Sequence, residues 1–506
     1  MSASRKKRRD AVRKPRLHAR RTSIVPFDAS NFWTPWLIAL TAIGTILRLR
    51  YLNQPMRYDE AVTYIYFAGK PWLTAIGSYK YPNNHVFHTA LVKLCVTLFG
   101  NAPWVIRLPA FFAGVALVPF TFAVGRRTVG PAAAYVGTAF VASSGALTLY
   151  STNGRGYSMV CLATMALCYF LLRVREQPLF SAWVGVVAAA SLGFWTIPIM
   201  LYPAGGLAIW FAISALRGHT SDGMADLRRL GVALLATACV TVLLYSPILA
   251  NGGLAPLTEN KFVTASSWPN FFGELVASLQ PLFELWALGV PALIALAIAL
   301  LTLIGLPASR ARLRDHLPIV WVMLTWCAVT LLATHRTPFV RVWLFLFAPA
   351  ALIAARGLVR IISRVPIARD AAASSYGIAA LVTALGLSAI TVESQDVITS
   401  LDTGTLSDAP AITQFLTPVL RSGDYVMAPL PSNAPMQYAF LRAGLDTAAF
   451  SRKAALPNNV YLIINKGEGA SIATPIADRL IATFPNTDLI ARFPLAELYR
   501  LSRKEP

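Results

Sequence analysis

Residues 103–124 read PWVIRLPAFFAGVALVPFTFAV, a run in which Arg107 is the only charged side chain. A helix of about 20 apolar residues crosses the hydrocarbon core of a bilayer. This run is therefore long and apolar enough to span a membrane once. Similar runs recur from Phe32 to about Ile390, so the sequence predicts a polytopic α-helical membrane protein.

The composition of the whole chain agrees with this interpretation. Apolar residues make up 56% of the 506 residues and charged residues only 13%, whereas about a quarter of an average soluble protein is charged. The mean hydropathy is +0.55. These values exclude a water-soluble globular protein.

The net charge of +22 raises the question of nucleic-acid binding, but its distribution argues against it. Residues 392–506 carry 10 basic and 11 acidic side chains, so the excess lies in the tail and the loops before them. Residues 1–31 form a basic, apolar-poor stretch that we predict to be a cytoplasmic tail. Basic loops of membrane proteins mark the cytoplasmic side, and we predict no nucleic-acid partner.

We predict about eleven membrane spans within residues 32–392. Their bounds are Trp33–Tyr51, Pro103–Val124, Ala132–Leu149, Met159–Leu172, Ala182–Ile197, Ile199–Leu216, Val232–Leu249, Leu285–Leu306, Leu317–Ala333, Val342–Ala355 and Tyr376–Val392. The stretch Val86–Phe99 is short for a span, and we interpret it as a helix in the outer interface. If it crossed the membrane, most of the basic loops would lie outside.

This topology predicts a multi-pass protein of the cell inner membrane with a cytoplasmic N-terminus. The outer loops are then residues 52–102, 150–158, 251–284 and 334–341. In residues 393–506, helix-like and strand-like segments alternate, which predicts a small extracytoplasmic α/β domain.

The first outer loop carries two groups of polar side chains. RYDEAVTY contains Tyr58 and the carboxylate pair Asp59 and Glu60, which are candidate catalytic residues unless they only favour a helix N-terminus. YKYPNNHVFHT contains Lys80, His85 and His88. The two histidines share a helical face. They indicate a polar substrate cavity more strongly than a metal site, so we assign no metal ligand, although a divalent metal stays possible as a cofactor.

Two later outer loops contain arginines, against the positive-inside trend. YSTNGRGYS holds Arg155 and Tyr157, and THRTPFVR holds Arg336 and Arg341. Arginine binds phosphate through paired hydrogen bonds, so these residues are candidates for binding a phosphate group. The alternative is that they reach toward lipid headgroups at the membrane surface.

Taken in order, these motifs resemble the GT-C fold glycosyltransferases of the family 39 type, near the protein O-mannosyltransferases and the lipid A aminoarabinose transferase. The resemblance covers roughly residues 35–360. Its motifs are YDEA at 58–61, NNHVFHTALVKLCVTLFG followed by WVIRLPAFFAGV at 83–115, and YSTNGRGYS at 150–158. The chain departs from the family where Asn153 replaces an acidic residue and where Asn84-His85-Val86 replaces a His-Pro-Pro sequence.

The resemblance implies transfer of a sugar from a polyprenyl-phosphate donor to an acceptor on the outer face. Asp59 is then the general base, Glu60 orients the acceptor or a neighbouring cation, and Arg155, Arg336, Arg341 or Lys80 binds the phosphate. The acceptor, whether protein, lipid or glycan, is left open. A transporter or flippase of lipid-linked sugars is the alternative, and a nonenzymatic scaffold is a third. The polar residues lie on one side only, which favours the enzyme.

Overall fold

The computed structural model describes residues 33–258, 262–306, 318–365, 373–451, 457–472, 483–484 and 486–503. The chain separates into residues 1–35 and 36–506, and the second unit is described below. The predicted tail, residues 1–31, lies outside the described residues.

The described chain is mostly helical. Its helices are α1 Pro35–Tyr51, α2 Tyr58–Thr63, α3 Trp72–Gly77, α4 Val86–Phe99, α5 Pro103–Thr128, α6 Pro131–Ser143, α7 Gly145–Ser151, α8 Tyr157–Glu176, α9 Phe180–Thr196, α10 Leu201–Leu216, α11 Gly223–Gly252, α12 Ala255–Thr258, α13 Trp268–Ala277, α14 Leu279–Trp286, α15 Ala292–Gly305, α16 Ile319–Thr334, α17 Phe347–Ile362, α18 Ala373–Ser394, α19 Asp396–Thr399, α20 Ala409–Leu416 and α21 Asn433–Arg442. A π-helical turn, Tyr64–Ala68, follows α2, and 3₁₀ turns precede α10 at Pro198–Met200 and α17 at Val340–Leu346.

Six helices of the described residues are long and apolar enough to cross a membrane, and a seventh span is obtained if the bent pair α6 and α7 is counted as one. The others are α5, α8, α11, Pro198–Leu216, Val340–Ile362 and Ser374–Ser394. The polytopic helical class is confirmed, but the count of eleven is not. At three of the remaining predicted spans the structure has shorter apolar helices, α9, α15 and α16.

Two predicted spans are broken where the sequence suggested continuous helices. Ala132–Leu149 bends by 56° at Ser144, whose hydroxyl caps α7 by accepting the N–H of Leu147 at 3.2 Å. A Cβ at Gly145 would lie 2.1 Å from the carbonyl oxygen of Leu288, so the backbones meet here because no side chain intervenes. Leu285–Leu306 is interrupted by Gly289, with φ of 82°, before α15 begins.

Arg48 joins α1 to the bent pair inside the apolar core. Its side chain is fully buried and donates to the carbonyl oxygens of Gly44 at 2.9 Å and Ala142 at 3.0 Å. It also donates to the Ser151 hydroxyl at 3.2 Å. A buried charge needs such partners, so these bonds fix α7, and the loop that follows it, against α1.

The C-terminal residues form a mixed four-stranded sheet in the order β1-β2-β4-β3. The strands are β1 Tyr425–Met427, β2 Asn459–Asn465, β3 Asn486–Arg492 and β4 Ala496–Ser502. β1 pairs parallel to β2, and β4 pairs antiparallel to β2 and β3. Alternate residues of β2 contribute to two different clusters of buried residues, one of which includes α20 and α21, because side chains alternate across a strand.

The sheet domain packs on the first outer loop. The Tyr438 hydroxyl of α21 donates to the carbonyl oxygen of Asn101 at 2.7 Å, and its ring meets Tyr64 edge-on at 5.6 Å between centroids. The backbone N–H of Tyr58 donates to the carbonyl oxygen of Gly404 at 3.0 Å. The loop with the candidate carboxylates is therefore held between the helical bundle and the C-terminal domain.

Candidate active site

Glu60 organises the first outer loop from inside the protein. Its carboxylate is fully buried and forms an ion pair with the equally buried Arg107 of α5. It also accepts the backbone N–H groups of Arg57 at 2.8 Å and Gly154 at 2.7 Å. Glu60 thus ties both outer loops to α5. This arrangement favours an organising role over the catalytic role predicted from the sequence.

Asp59, next to Glu60 on α2, points toward two arginines. One carboxylate oxygen, Oδ2, lies 3.0 Å from Nη1 of Arg155 and 3.7 Å from Nη2 of Arg341. These are ion-pair distances, but within the described residues this oxygen accepts no hydrogen bond. Asn83 fixes the backbone beneath it by donating to the Asp59 carbonyl oxygen at 2.8 Å. Asp59 therefore lies beside two cations, with an oxygen that can still accept a hydrogen bond from another donor.

Arg155 lies in the second predicted outer loop, next to His85. Nη2 of Arg155 lies 3.2 Å from Nε2 of His85, while Nδ1 of His85 accepts the backbone N–H of Gly156 at 2.9 Å. Both side chains are buried. The first and second predicted outer loops therefore meet here, with the Arg155 guanidinium between His85 and Asp59.

Arg341 reaches the same point from the 3₁₀ turn before α17. Its Nε donates to the Tyr157 hydroxyl at 3.1 Å, and its Nη1 donates to the Asp402 carboxylate at 3.3 Å. The Tyr150 hydroxyl donates to the other oxygen of Asp402. Two acids and two guanidinium groups thus share one partly buried cluster, defined here as Asp59, Arg155, Arg341 and Asp402.

Among the described residues, the other predicted site residues make no side-chain hydrogen bond or ion pair with this cluster. The ring of Tyr58 is half-buried, and burial together with the adjacent Asp59 charge raises the pKa of its hydroxyl. Lys80 is exposed, with its ammonium 5.6 Å from the centroid of the Tyr81 ring. His88 is fully buried, and among the described residues its ring nitrogens have no hydrogen-bond partner. Arg336 is half-buried.

Within the part of the chain that the structure describes, no group of three or more His, Cys, Asp or Glu side chains is arranged to hold a metal ion.

The protonation of His85 predicts how stability depends on pH. Burial, followed by the Arg155 charge, holds the pKa of His85 well below its usual range. The unfolded chain takes up a proton below about pH 6.5, and the folded chain does not. Stability is therefore fully present above about pH 6.5 and falls as the pH decreases. We expect the melting temperature to fall between pH 7.5 and 5.5, with a smaller slope in His85→Gln.

An unchanged slope in His85→Gln would contradict the assignment.

Three residues that complete the site were not among the predicted site residues. Arg57 and Arg107 are fully buried. Charged residues are rare in so apolar a chain, and this rarity was the signal that could have drawn attention to both arginines. Asp402 follows the last helix of the bundle by only eight residues. No motif surrounds it, so only the folded structure brings it to Arg341.

Residues 84–245 match the model of the family described as dolichyl-phosphate-mannose-protein mannosyltransferase. Comparison with curated protein sequences gives no significant match.

Among solved structures, the chain is similar to ArnT from Cupriavidus metallidurans. The apo form matches with a TM-score of 0.60 and 13% identity, over 92% of this chain and 97% of that one. The form bound to undecaprenyl phosphate matches with a TM-score of 0.59 and 13% identity, over 92% and 98%. The archaeal oligosaccharyltransferase AglB from Archaeoglobus fulgidus gives a TM-score of 0.49 at 10% identity, over 85% of this chain and 69% of that one.

The chain therefore has the GT-C fold of ArnT along nearly its whole length, and the resemblance predicted from the motifs is confirmed. The matched family region contains His85, Arg155 and Tyr157, and so includes part of the cluster.

Proposed function

We propose that this protein is a membrane glycosyltransferase that moves a sugar from a polyprenyl-phosphate donor to an acceptor on the extracytoplasmic face. The family model and the fold support the enzyme class and the lipid-linked donor predicted from the sequence. The observation that carries the proposal is the convergence of Asp59 with Arg155 and Arg341, at 3.0 and 3.7 Å, from three separate loops.

The cluster suits the chemistry of this transfer. The acceptor oxygen forms a bond to the anomeric carbon while the bond from that carbon to the phosphate oxygen breaks. Asp59 takes the acceptor proton as general base. Arg341 and Arg155 stabilise the charge that develops on the departing polyprenyl phosphate, and Tyr157 holds Arg341 in place.

The remaining predicted residues take supporting roles in this proposal. Glu60 positions the loop that carries Asp59. Tyr58 and His85 line the site, and Lys80, His88 and Arg336 bind parts of the donor or acceptor farther from the reacting carbon. Residues 393–506 then form the extracytoplasmic domain, the N-terminus lies in the cytoplasm, and the protein is an inner-membrane enzyme. Membrane lipid surrounds the bundle, and the acceptor is a protein, a lipid or a glycan.

The proposal is tested by incubating the purified protein with a panel of polyprenyl-phosphate sugars and following release of the polyprenyl phosphate. We expect at least one donor to be consumed by the wild-type protein, and faster when a hydroxyl-bearing acceptor is added. Flipping of an intact lipid-linked sugar across vesicles, without cleavage of any donor, would instead identify a transporter.

The choice between Arg341 and Arg336 can be tested by matched substitutions in one loop. We expect Arg341→Gln to lower kcat/KM by about 100-fold or more, because it removes charge-assisted bonds to the departing phosphate. Arg336→Gln should lower it only a few-fold. A larger loss for Arg336→Gln than for Arg341→Gln, measured with the same donor, would reverse the assignment.

A further inference from the structure

Asp402 places a second acid against the arginine that faces Asp59. One carboxylate oxygen accepts from Nη1 of Arg341 at 3.3 Å, and the other accepts from the Tyr150 hydroxyl. The side chain is 24% exposed, so its charge is only partly screened by water. Asp402 belongs to none of the three predicted outer loops that supply the predicted site. It comes from the segment that joins the bundle to the sheet domain.

One buried arginine side chain holds this segment in position. Arg57 is fully buried and donates to four backbone carbonyl groups of the segment. The acceptors are Val397 at 2.8 Å, Ile398 at 3.3 Å, Ser400 at 2.7 Å and Asp402 at 3.1 Å. A fully buried guanidinium has few alternative partners, so these bonds fix the position of Asp402 in the cluster.

Asp402 also determines how the Arg341 guanidinium is turned. The Nε–H of Arg341 is directed to Tyr157 and Nη1 to Asp402, while Nη2 stays 3.7 Å from Asp59. Nε and Nη1 are thus bonded to Tyr157 and Asp402, and the remaining nitrogen, Nη2, stays near Asp59 without forming a close ion pair. If Asp402 lost its charge, one of these two anchors would weaken and Arg341 would be free to turn out of this position.

We propose that Asp402 is a positioning residue for the transfer reaction, in which the C-terminal segment holds Arg341 and offsets part of its charge. This inference rests on the proposed function. Held in this way, Arg341 faces the donor phosphate while Asp59 stays available as the base. The negative charge of Asp402 also weakens the binding of Arg341 to the polyprenyl phosphate product, which must leave after each turnover.

The test compares the full-length wild-type protein with Asp402→Asn. We expect kcat to fall by about tenfold or more, because small displacements of a catalytic group are costly. We expect the affinity for undecaprenyl phosphate, measured by direct binding to the purified protein, to rise by about threefold or more, because a repelling charge has been removed. Tyr150→Phe, which removes one hydrogen bond but no charge, should lower kcat less and leave the affinity near the wild-type value.

Asp488→Asn is the matched control, since it removes an exposed carboxylate from β3 that pairs only at the surface with Arg500. It should leave both values unchanged. The inference is overturned if kcat of Asp402→Asn stays within twofold of wild type, or if undecaprenyl phosphate binds no more tightly. A parallel loss of activity, affinity and thermal stability would assign Asp402 a purely structural role and overturn it too. Should the wild-type protein consume no donor, the proposed function fails, while the affinity comparison still tests the charge relation between Asp402 and Arg341.

Discussion

Asp59→Asn is expected to abolish sugar transfer, with kcat reduced by roughly 100-fold to 10,000-fold, the usual contribution of a general base. Asparagine has nearly the same shape but does not accept the acceptor proton at neutral pH. The hydrogen bond from the Asn83 side chain to the backbone carbonyl oxygen of residue 59 does not depend on the carboxylate, so the loop should keep its conformation. Release of polyprenyl phosphate from the donor panel measures the loss.

Binding separates loss of chemistry from loss of structure in this variant. Removing an anion that lies 3.0 Å from Arg155 should leave undecaprenyl phosphate binding intact or make it tighter. The surface variant Asp488→Asn should retain full activity under the same conditions. Turnover near the wild-type rate in Asp59→Asn would remove Asp59 from the role of base.

Glu60→Gln is expected to destabilise the protein by about 3–5 kcal/mol, the usual cost of leaving one member of a buried ion pair without its partner. Arg107 would keep its charge in a site with no access to water. In addition, the amide of glutamine would place N–H groups against the N–H groups that Glu60 now accepts. The measurement is unfolding of the purified protein in detergent, together with the yield of monodisperse protein.

A matched substitution distinguishes this effect from the loss of any charge pair. Asp488→Asn breaks the ion pair between Asp488 and Arg500. Both side chains are about half exposed, and such surface pairs contribute little to stability. Its unfolding midpoint should stay at the wild-type value. If Glu60→Gln unfolded at that same midpoint, the buried pair would not hold the two outer loops together.

The sequence was sufficient to predict the features that depend on local pattern. Apolar runs such as residues 103–124 predicted helices because length and hydropathy are local properties. Asp59, Arg155 and Arg341 were each singled out because a charge in an apolar chain requires a partner or a function. The structure places Asp59 within ion-pair distance of both arginines.

Features that depend on distant contacts were not predictable in this way. The bend at Ser144 results from a cap and from the close approach of Leu288 to Gly145, and neither is visible in a hydropathy pattern. Glu60 and Asp59 are adjacent in sequence, yet one faces Arg107 inside the protein and the other faces the cluster. The carboxylate at 402 becomes relevant only when a segment about 60 residues after Arg341 folds back over it.

The hydrogen bonds from Arg57 to carbonyl groups of residues 397–402 have a consequence for protein engineering. The sheet domain looks like an exchangeable module, because it has its own strands and apolar interior. A chimera joined directly after α18 would nevertheless replace the four carbonyl groups that Arg57 requires, and would strand that guanidinium in the interior. Grafts between related enzymes should therefore place the junction beyond residue 405, so that the connecting segment is inherited with the membrane half.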